Sequence, residues 1–369
     1  MTRKIIKIKT LHGTIDLPAF MPDATYGSIN SISFEDAKNS GVKEIVTTTL
    51  HIEQKLGSDF LTKIGGFHKF IGWNRPILSD SGGFQVFSLI YASNIEENKI
   101  TDEGCIFKNK TSGKTFKLTP ESSQQIQYKI GADICTVLDE PTYGHKSKTE
   151  LIKAVNRTCD WARRSKQEFL KLHHLTKKDF EQTTGEERPL LFAVVQGGND
   201  LKLRKYCFEE LENIGFDGYN WGGSPYDEID KRDEVGEYLA SLIPENKVAY
   251  AMGVGTPDDI VKCLKWGWNL FDCVLPTRNA RHGYLYVTKG VGDTNFENYS
   301  VLRIKKSDYE FDEKPIDNNC DCEACRNYSR AYLRYLMKIK ELAGFRLATI
   351  HNLRFYTKLL GNLRKKNIM

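Results

Sequence analysis

The chain has 369 residues, 40% hydrophobic and 27% charged, with a formal net charge of +5. That composition excludes a disordered or fibrous protein and leaves room for one large α/β domain or two ordinary ones. No apolar run reaches the ~20 residues needed to span a bilayer, and the basic start MTRKIIKIKT has no apolar segment of the signal-peptide kind, so a cytoplasmic protein without a membrane partner is expected.

Taken in chain order, six segments share one form. Each is a short apolar run, then a polar residue, then glycine or a turn, then a helical stretch. RPILSDSGG reaches Asp80, ADICTVLDE reaches Asp139 and PLLFAVVQGG reaches Gln196. FDGYNWGG reaches Gly223, VAYAMGVG reaches Met252 and LFDCVLPT carries Asp272. The runs are continuous rather than alternating, as in parallel strands covered on both faces. Thr119-Pro120-Glu121 and Thr256-Pro257-Asp258 open helices with an N-cap and a proline in the first turn. The stretch EFLKLHHLTKKDFEQTTGEERP reads as a long surface excursion.

Strands alternating with helices form an open doubly wound sheet or a (β/α)8 TIM barrel. Polar groups at five or more strand ends meet at one point only if the strands close into a ring. A barrel over residues 1–310 is therefore expected, followed by a C-terminal zinc-binding helical subdomain over 311–369.

That second region opens with CDCEAC, which places Cys320, Cys322 and Cys325 within reach of one ion. His351, in the helical stretch LATIHNLRFY, is the candidate fourth ligand. SRAYLRYLMKIKELAG is a helix that could return the chain to it. Four ligands leave no open position, so the zinc is expected to be structural. The other six cysteines stand alone and read as small buried hydrophobes. From Arg326 onward there are 11 Lys and Arg against one acid, a charge of +10 on a body of −5. This asymmetry suggests a polyanionic partner.

Two carboxylates, Asp80 and Asp272, stand at two strand ends of the expected ring. Substitution at a sugar carbon needs such a pair, one to attack or stabilise and one to move a proton. Either alone would read as a turn cap. The glycines of SDSGGF have the wrong spacing for a phosphate loop. Arg278 and Arg281 follow the Asp272 strand on what reads as a loop without acidic neighbours.

In this order, DSGGFQVFSL, FAVVQGG, AMGVGTPDD, FDCVLPTRNAR and the CxCxxC cluster with its distant histidine resemble the tRNA-guanine transglycosylases. The resemblance runs over nearly the whole chain. It implies a (β/α)8 enzyme that exchanges guanine in tRNA for a 7-deazaguanine base, in queuosine biosynthesis or salvage. Asp272 then matches the nucleophile and Asp80 the general acid/base. Asp139, Gln196 and the Gly223 amide match the groups that read the base edge. Phe84 and Met252 match the residues that sandwich its ring. Arg278 and Arg281 match contacts to the anticodon loop, and Cys320, Cys322, Cys325 and His351 match the zinc ligands. Partners implied are tRNA, a free 7-deazaguanine base and a second copy of the chain in a homodimer.

The chain departs from the family at Thr48-Thr49-Leu50-His51, where bacterial members have Asn-Thr-Tyr-His, and at Pro141, where they have Cys. It departs again at Ser224-Pro225-Tyr226-Asp227-Glu228, the wall facing the base's substituent. Two acids there favour a cationic amine, either aminomethyl-deazaguanine or queuine. A non-catalytic tRNA-binding subunit would have lost the pocket carboxylates. A base exchanger acting on DNA stays open as the alternative.

Overall fold

Eight parallel strands pair only with their neighbours in sequence: β1 (Ala19–Pro22), β2 (Ile45–Thr48), β3 (Ile77–Asp80), β4 (Ile134–Thr136), β5 (Leu190–Val195), β6 (Gly218–Trp221), β7 (Val248–Ala251) and β8 (Leu270–Cys273). β8 pairs back with β1. A parallel bridge between Asp23 and Val46 brings β1 to β2, with the Ala24 amide 2.8 Å from the Val46 carbonyl. The ring is thus closed, and the expected TIM barrel is the fold. The computed structural model describes residues 5–91, 98–108, 113, 115–141, 147–223, 229–290 and 296–368.

Strand alternation sorts the side chains into two cores. Met21, Val46, Leu78, Ile134, Phe192, Tyr250 and Leu270 point inward and pack with Ile8, Ile15 and Leu17. The latter three come from an N-terminal hairpin, Lys7–Thr10 with Gly13–Asp16, and from the turn after it. This hairpin plugs the end of the barrel where the strands begin. Phe20, Ile45, Ile77, Cys135, Ala193, Tyr219, Ala249 and Phe271 point outward under the helices.

The helix signals of the sequence are met. Thr119 and Ser122 form a capping box before Pro120–Ile130, and Thr256 caps Pro257–Trp266. The six lone cysteines are all buried. Elsewhere the structure departs from the sequence reading. β1 and β2 were not anticipated, being four residues each and lacking a glycine turn after them. The supposed excursion after Glu168 is mostly ordered. Its first five residues end a helix at Leu172, and Lys177–Gln182 is a second helix with a Thr176/Asp179 capping box. Arg188, also in that stretch, is buried and grips Asp217 through both terminal nitrogens at 2.8 and 2.9 Å. The helix expected over SRAYLRYLMKIKELAG stops at Lys338, and the last helix takes over at Leu342.

At the floor, the buried Asp133 carboxylate accepts the His12 amide and the His12 ring Nδ1, both at 2.9 Å, and the Ile77 amide at 2.8 Å. His68 Nε2 lies 3.2 Å away, and the two imidazoles stack with centroids 3.7 Å apart. Burial works against the charge, but the donors from His12, His68 and Ile77 outweigh it and hold Asp133 at about 2. The hydrogen bond to Asp133 raises His12 against the opposing effect of its burial. Asp133 is depressed, so its contribution is complete above its unfolded value and is lost as pH falls toward 2. His12 is raised, so its contribution is complete below its unfolded value and is lost as pH rises through its folded one. The Asp133 shift corresponds to ~2 kcal/mol. Asp133→Asn is expected to lower the free energy of unfolding by that order near pH 5.5. The gap to the unsubstituted chain should narrow in melts run below pH 4 and above pH 7; a gap independent of pH would disprove this linkage.

Candidate active site

The strand ends converge as the ring requires. Asp80 closes β3, Asp139 follows β4, Gln196 follows β5, Gly222 and Gly223 follow β6, Met252 follows β7 and Asp272 lies in β8. All belong to one mouth of the barrel.

Asp272 is held by a single oxygen. Its Oδ1 accepts the Tyr250 hydroxyl at 2.7 Å and the Gly253 amide at 2.8 Å. Burial lifts its carboxyl to about 6; the two donors oppose this, and the charges of Asp80 and Asp23 add to it. Asp80 accepts the Ser81 amide at 2.8 Å on Oδ1 and the Gln85 amide at 3.3 Å on Oδ2. Gln85 is oriented in turn by the Thr48 hydroxyl, 3.2 Å from its Oε1. Burial raises Asp80 above the usual carboxylate range.

Asp139 and Gln196 form a pair, with Nε2 of the glutamine 2.6 Å from Oδ2 of the aspartate. Burial raises Asp139 to about 7; Gln196 counteracts this, and the Asp80 and Glu140 charges reinforce it. The next residue, Glu140, is tied to Arg157. Phe84, about half exposed, lies on the helix Gly83–Tyr91, while Met252 is partly buried. The glycine turn before Phe84 is a close-packing device. A side chain on Gly82 would collide with Thr49, and one on Gly83 would press on the Asp139 carbonyl at 3.2 Å. The turn therefore nests between the ends of β2 and β4, as only glycines allow.

Arg278 and Arg281 are not on a loop. They lie on a helix, Leu275–His282, that starts directly after β8. Pro276 in its first turn gave the signal for a helix start. Among the described residues neither arginine has an ion pair, and Arg281 has a buried terminal nitrogen, NH1, with no hydrogen-bond partner. Burial and the neighbouring Arg278 lower the Arg281 value, partly offset by Asp23. The basic C-terminal region behaves differently from its sequence reading. Arg330, Arg334, Arg346, Arg354, Lys358 and Lys366 all pair with acids. Arg364 donates to the Asp16 and Pro18 carbonyls. Much of that charge is balanced inside the fold.

Sequence reading missed Tyr250, Gln85 and Asp23, and named Thr48 only as a departure from the family. Period-2 spacing could have found Tyr250, which stands two residues before Met252 and so faces inward with it. The wall Ser224–Glu228 lies outside the described residues.

Away from the mouth, Cys320, Cys322, Cys325 and His351 bring four ligand atoms within 4.8 Å of one another. His351 Nδ1 is 3.2 Å from the Cys325 sulfur and 3.8 Å from that of Cys322. Its Nε2 donates to the Tyr286 carbonyl at 2.7 Å, which leaves the Nδ1 lone pair for a metal. The donor set fits one tetrahedrally held ion with no open position.

The family model described as queuine tRNA-ribosyltransferase matches residues 2–367. The chain belongs to that family. It is 40% identical over 354 residues to a queuine tRNA-ribosyltransferase of Idiomarina loihiensis, covering 95% of this chain and 87% of the relative. A protein of the same name from Psychrobacter cryohalolentis is 42% identical over 96% of this chain and 86% of its own length. One from Blochmanniella pennsylvanica is 40% identical, covering 96% and 89%. As a member of this family the chain is an enzyme, a pentosyltransferase. Among the described residues no helix is long and apolar enough to cross a membrane.

Two measurements follow. Removing the Tyr250 hydroxyl deprives Asp272 of one of its two donors, so Tyr250→Phe should raise the Asp272 value above 6 in a carboxyl-carbon NMR titration. An unchanged titration would mean that the hydroxyl does not hold the carboxylate. The purified chain should carry one metal ion per molecule, and Cys322→Ser should lose both the ion and thermal stability, since structural metal can supply ~10 kcal/mol of folding energy in small modules. A variant that lost the ion but kept its melting temperature would overturn the structural role.

Proposed function

We propose that the chain is a tRNA-guanine transglycosylase that exchanges guanine at the anticodon wobble position for a free 7-deazaguanine base through a covalent Asp272–ribosyl intermediate. The observation that carries this reading is the convergence of Asp80 and Asp272 at one mouth, beside the Asp139–Gln196 pair. The free oxygen Oδ2 of Asp272 faces the attack. It bonds to C1′ of the nucleoside as the C1′–N9 bond breaks. Asp80, raised by burial, carries the proton that guanine takes as it leaves. It then removes the N9 proton of the incoming base, which attacks C1′ and frees Asp272.

Asp139, Gln196 and the Gly223 amide read the guanine-like edge, and Phe84 and Met252 hold the ring between them. The target base leaves the anticodon stack to reach them. Arg278 and Arg281 meet the anticodon loop, and the buried, unpartnered nitrogen of Arg281 is suited to a phosphate oxygen. The metal is zinc, the usual choice of a closed Cys3His set, held in a C-terminal part over 311–369 beside the barrel over 1–310. Zinc, when bound, fixes these four side chains and takes no part in the exchange. The incoming base carries a cationic amine, aminomethyl-deazaguanine or queuine. A homodimer is supported by the exposed row Tyr328, Tyr332, Tyr335, Ile339 and Leu342. The cytoplasm, where tRNA is found, is its location.

Label exchange tests the reading. Radiolabelled guanine should enter tRNA and not DNA, and each amine base should compete better than the nitrile base. Uptake into DNA alone would replace tRNA as the substrate. Asp272→Asn should trap no denaturation-resistant tRNA adduct, and Asp80→Asn should bind tRNA but exchange slower by ~10²–10⁴. An adduct in Asp272→Asn would reassign the nucleophile. Affinity for tRNA should fall steeply with salt, and Arg281→Ala should flatten the log–log slope by about one. An unchanged slope would remove Arg281 from the phosphate contacts.

A further inference from the structure

Two of the lone cysteines are not independent. Cys159 lies on the helix Lys148–Leu172 and Cys207 on the helix Leu201–Ile214. These helices pack on one another, and the two sulfurs are in contact at 4.0 Å. Cys207 touches the base-reading machinery. Its sulfur accepts the backbone amide of Gln196 at 3.4 Å. One turn earlier on the same helix, Arg204 donates to the carbonyls of Gly198 at 2.9 Å and Gly222 at 2.8 Å, and to that of Val195. Arg204 is fully enclosed, and no carboxylate pairs with it among the described residues. Burial pulls its value down to about 10, and the group that opposes this is Cys207. A thiolate at Cys207 is thus favoured by an amide donor and a buried cation.

We propose that Cys159 and Cys207 are a reversible disulfide-forming site whose closure disables base reading through Gln196. The oxidant is hydrogen peroxide, small enough to enter through local opening of the helix pair. The Cys207 thiolate attacks one peroxide oxygen, giving a sulfenic acid and hydroxide. The Cys159 sulfur then displaces the sulfenic oxygen, which leaves with a proton as water. Overall the two thiols lose two hydrogens and two electrons, and peroxide becomes two waters. The sulfurs must approach by about 2 Å to bond. Cys207 thereby breaks its contact with the Gln196 amide, on the residue whose side chain holds Asp139. Displacements on this scale at a binding edge cost up to ~10²-fold.

The functional half rests on the reading of Gln196 proposed above, so the test separates the two. Zinc-loaded full-length protein is treated with peroxide, its remaining thiols are blocked with an alkylating agent, and its peptides are mapped. A cross-link between the Cys159 and Cys207 peptides is expected, with zinc content unchanged in the same sample. Guanine exchange at limiting base should fall at least tenfold and return with dithiothreitol. Cys159→Ala, checked by its melting temperature, should keep full activity in reducing buffer and resist the reversible loss; Cys159→Ser gives a second reading should the alanine variant melt early. Absence of the cross-link at peroxide doses that inactivate the enzyme would overturn the site. A cross-link without loss of exchange, or equal loss in both Cys159 variants, would overturn its coupling to Gln196. Reduced protein that exchanges no guanine at all would instead sink the transglycosylase reading and leave the peptide map to judge the disulfide.

Discussion

Crowding of like charge at the barrel mouth is the constraint on which the site depends. Asp80 stands in the field of both Asp139 and Asp272, and each of those two is also raised by burial. Three carboxylates in one poorly hydrated ring cannot all ionise without compensation. The fold supplies donors rather than counter-ions: Tyr250 and Gly253 for Asp272, Ser81 and Gln85 for Asp80, Gln196 for Asp139. Donors leave part of each carboxylate uncommitted, where an ion pair would occupy it. The result is a set of acids all lifted by burial and each held by its own donors.

Such a mouth destabilises the fold, and the opposite end of the barrel offsets it. At the floor two carboxylates are closely held. Asp133 is bound by His12 and Ile77 and faced by His68, and Arg188 takes both oxygens of Asp217. The hairpin plug adds Ile8, Ile15 and Leu17 to the inner core. The multiply held Asp133 and Asp217 at strand starts fit the division of labour in this fold, where strand starts carry stability and strand ends carry chemistry.

How much of this could be read from the sequence follows from the range of each signal. Asp80, Asp139, Gln196 and Asp272 announce themselves because each ends an apolar run, and a polar group there has few local reasons to exist. The Cys320–Cys325 spacing is equally local. β1 and β2 escaped notice because no glycine turn follows AFMP or IVTT, and only ring closure requires them. Arg278 and Arg281 read as a loop because Pro276, which stands in the first turn of their helix, was not taken into account. The ion pairs of the basic tail were not legible because its partners, Asp36, Glu297, Asp312 and Asp321 among them, all precede the segment that starts at Arg326. Gln85 needed the barrel itself before its side chain could be aimed at Asp80.

Hydrogen bonds connect the Cys3His group to the mouth of the barrel. His351 donates to the Tyr286 carbonyl, and the Tyr286 hydroxyl receives the Asn279 amide at 2.7 Å. Asn352, next to His351, accepts the Tyr286 amide and donates to the Pro276 carbonyl at 3.0 Å. Pro276 and Asn279 belong to the helix that carries Arg278 and Arg281. Further along the last helix, Tyr356 donates to the Gly255 carbonyl, just beyond the Gly253 amide that holds Asp272. The four metal ligands therefore fix one end of a continuous hydrogen-bonded frame whose other end is the arginine helix and the turn after β7. An ion bound there would brace this frame, and with it the arginine helix and the turn that holds Asp272, from outside the mouth, since four protein ligands leave a tetrahedral ion no open position.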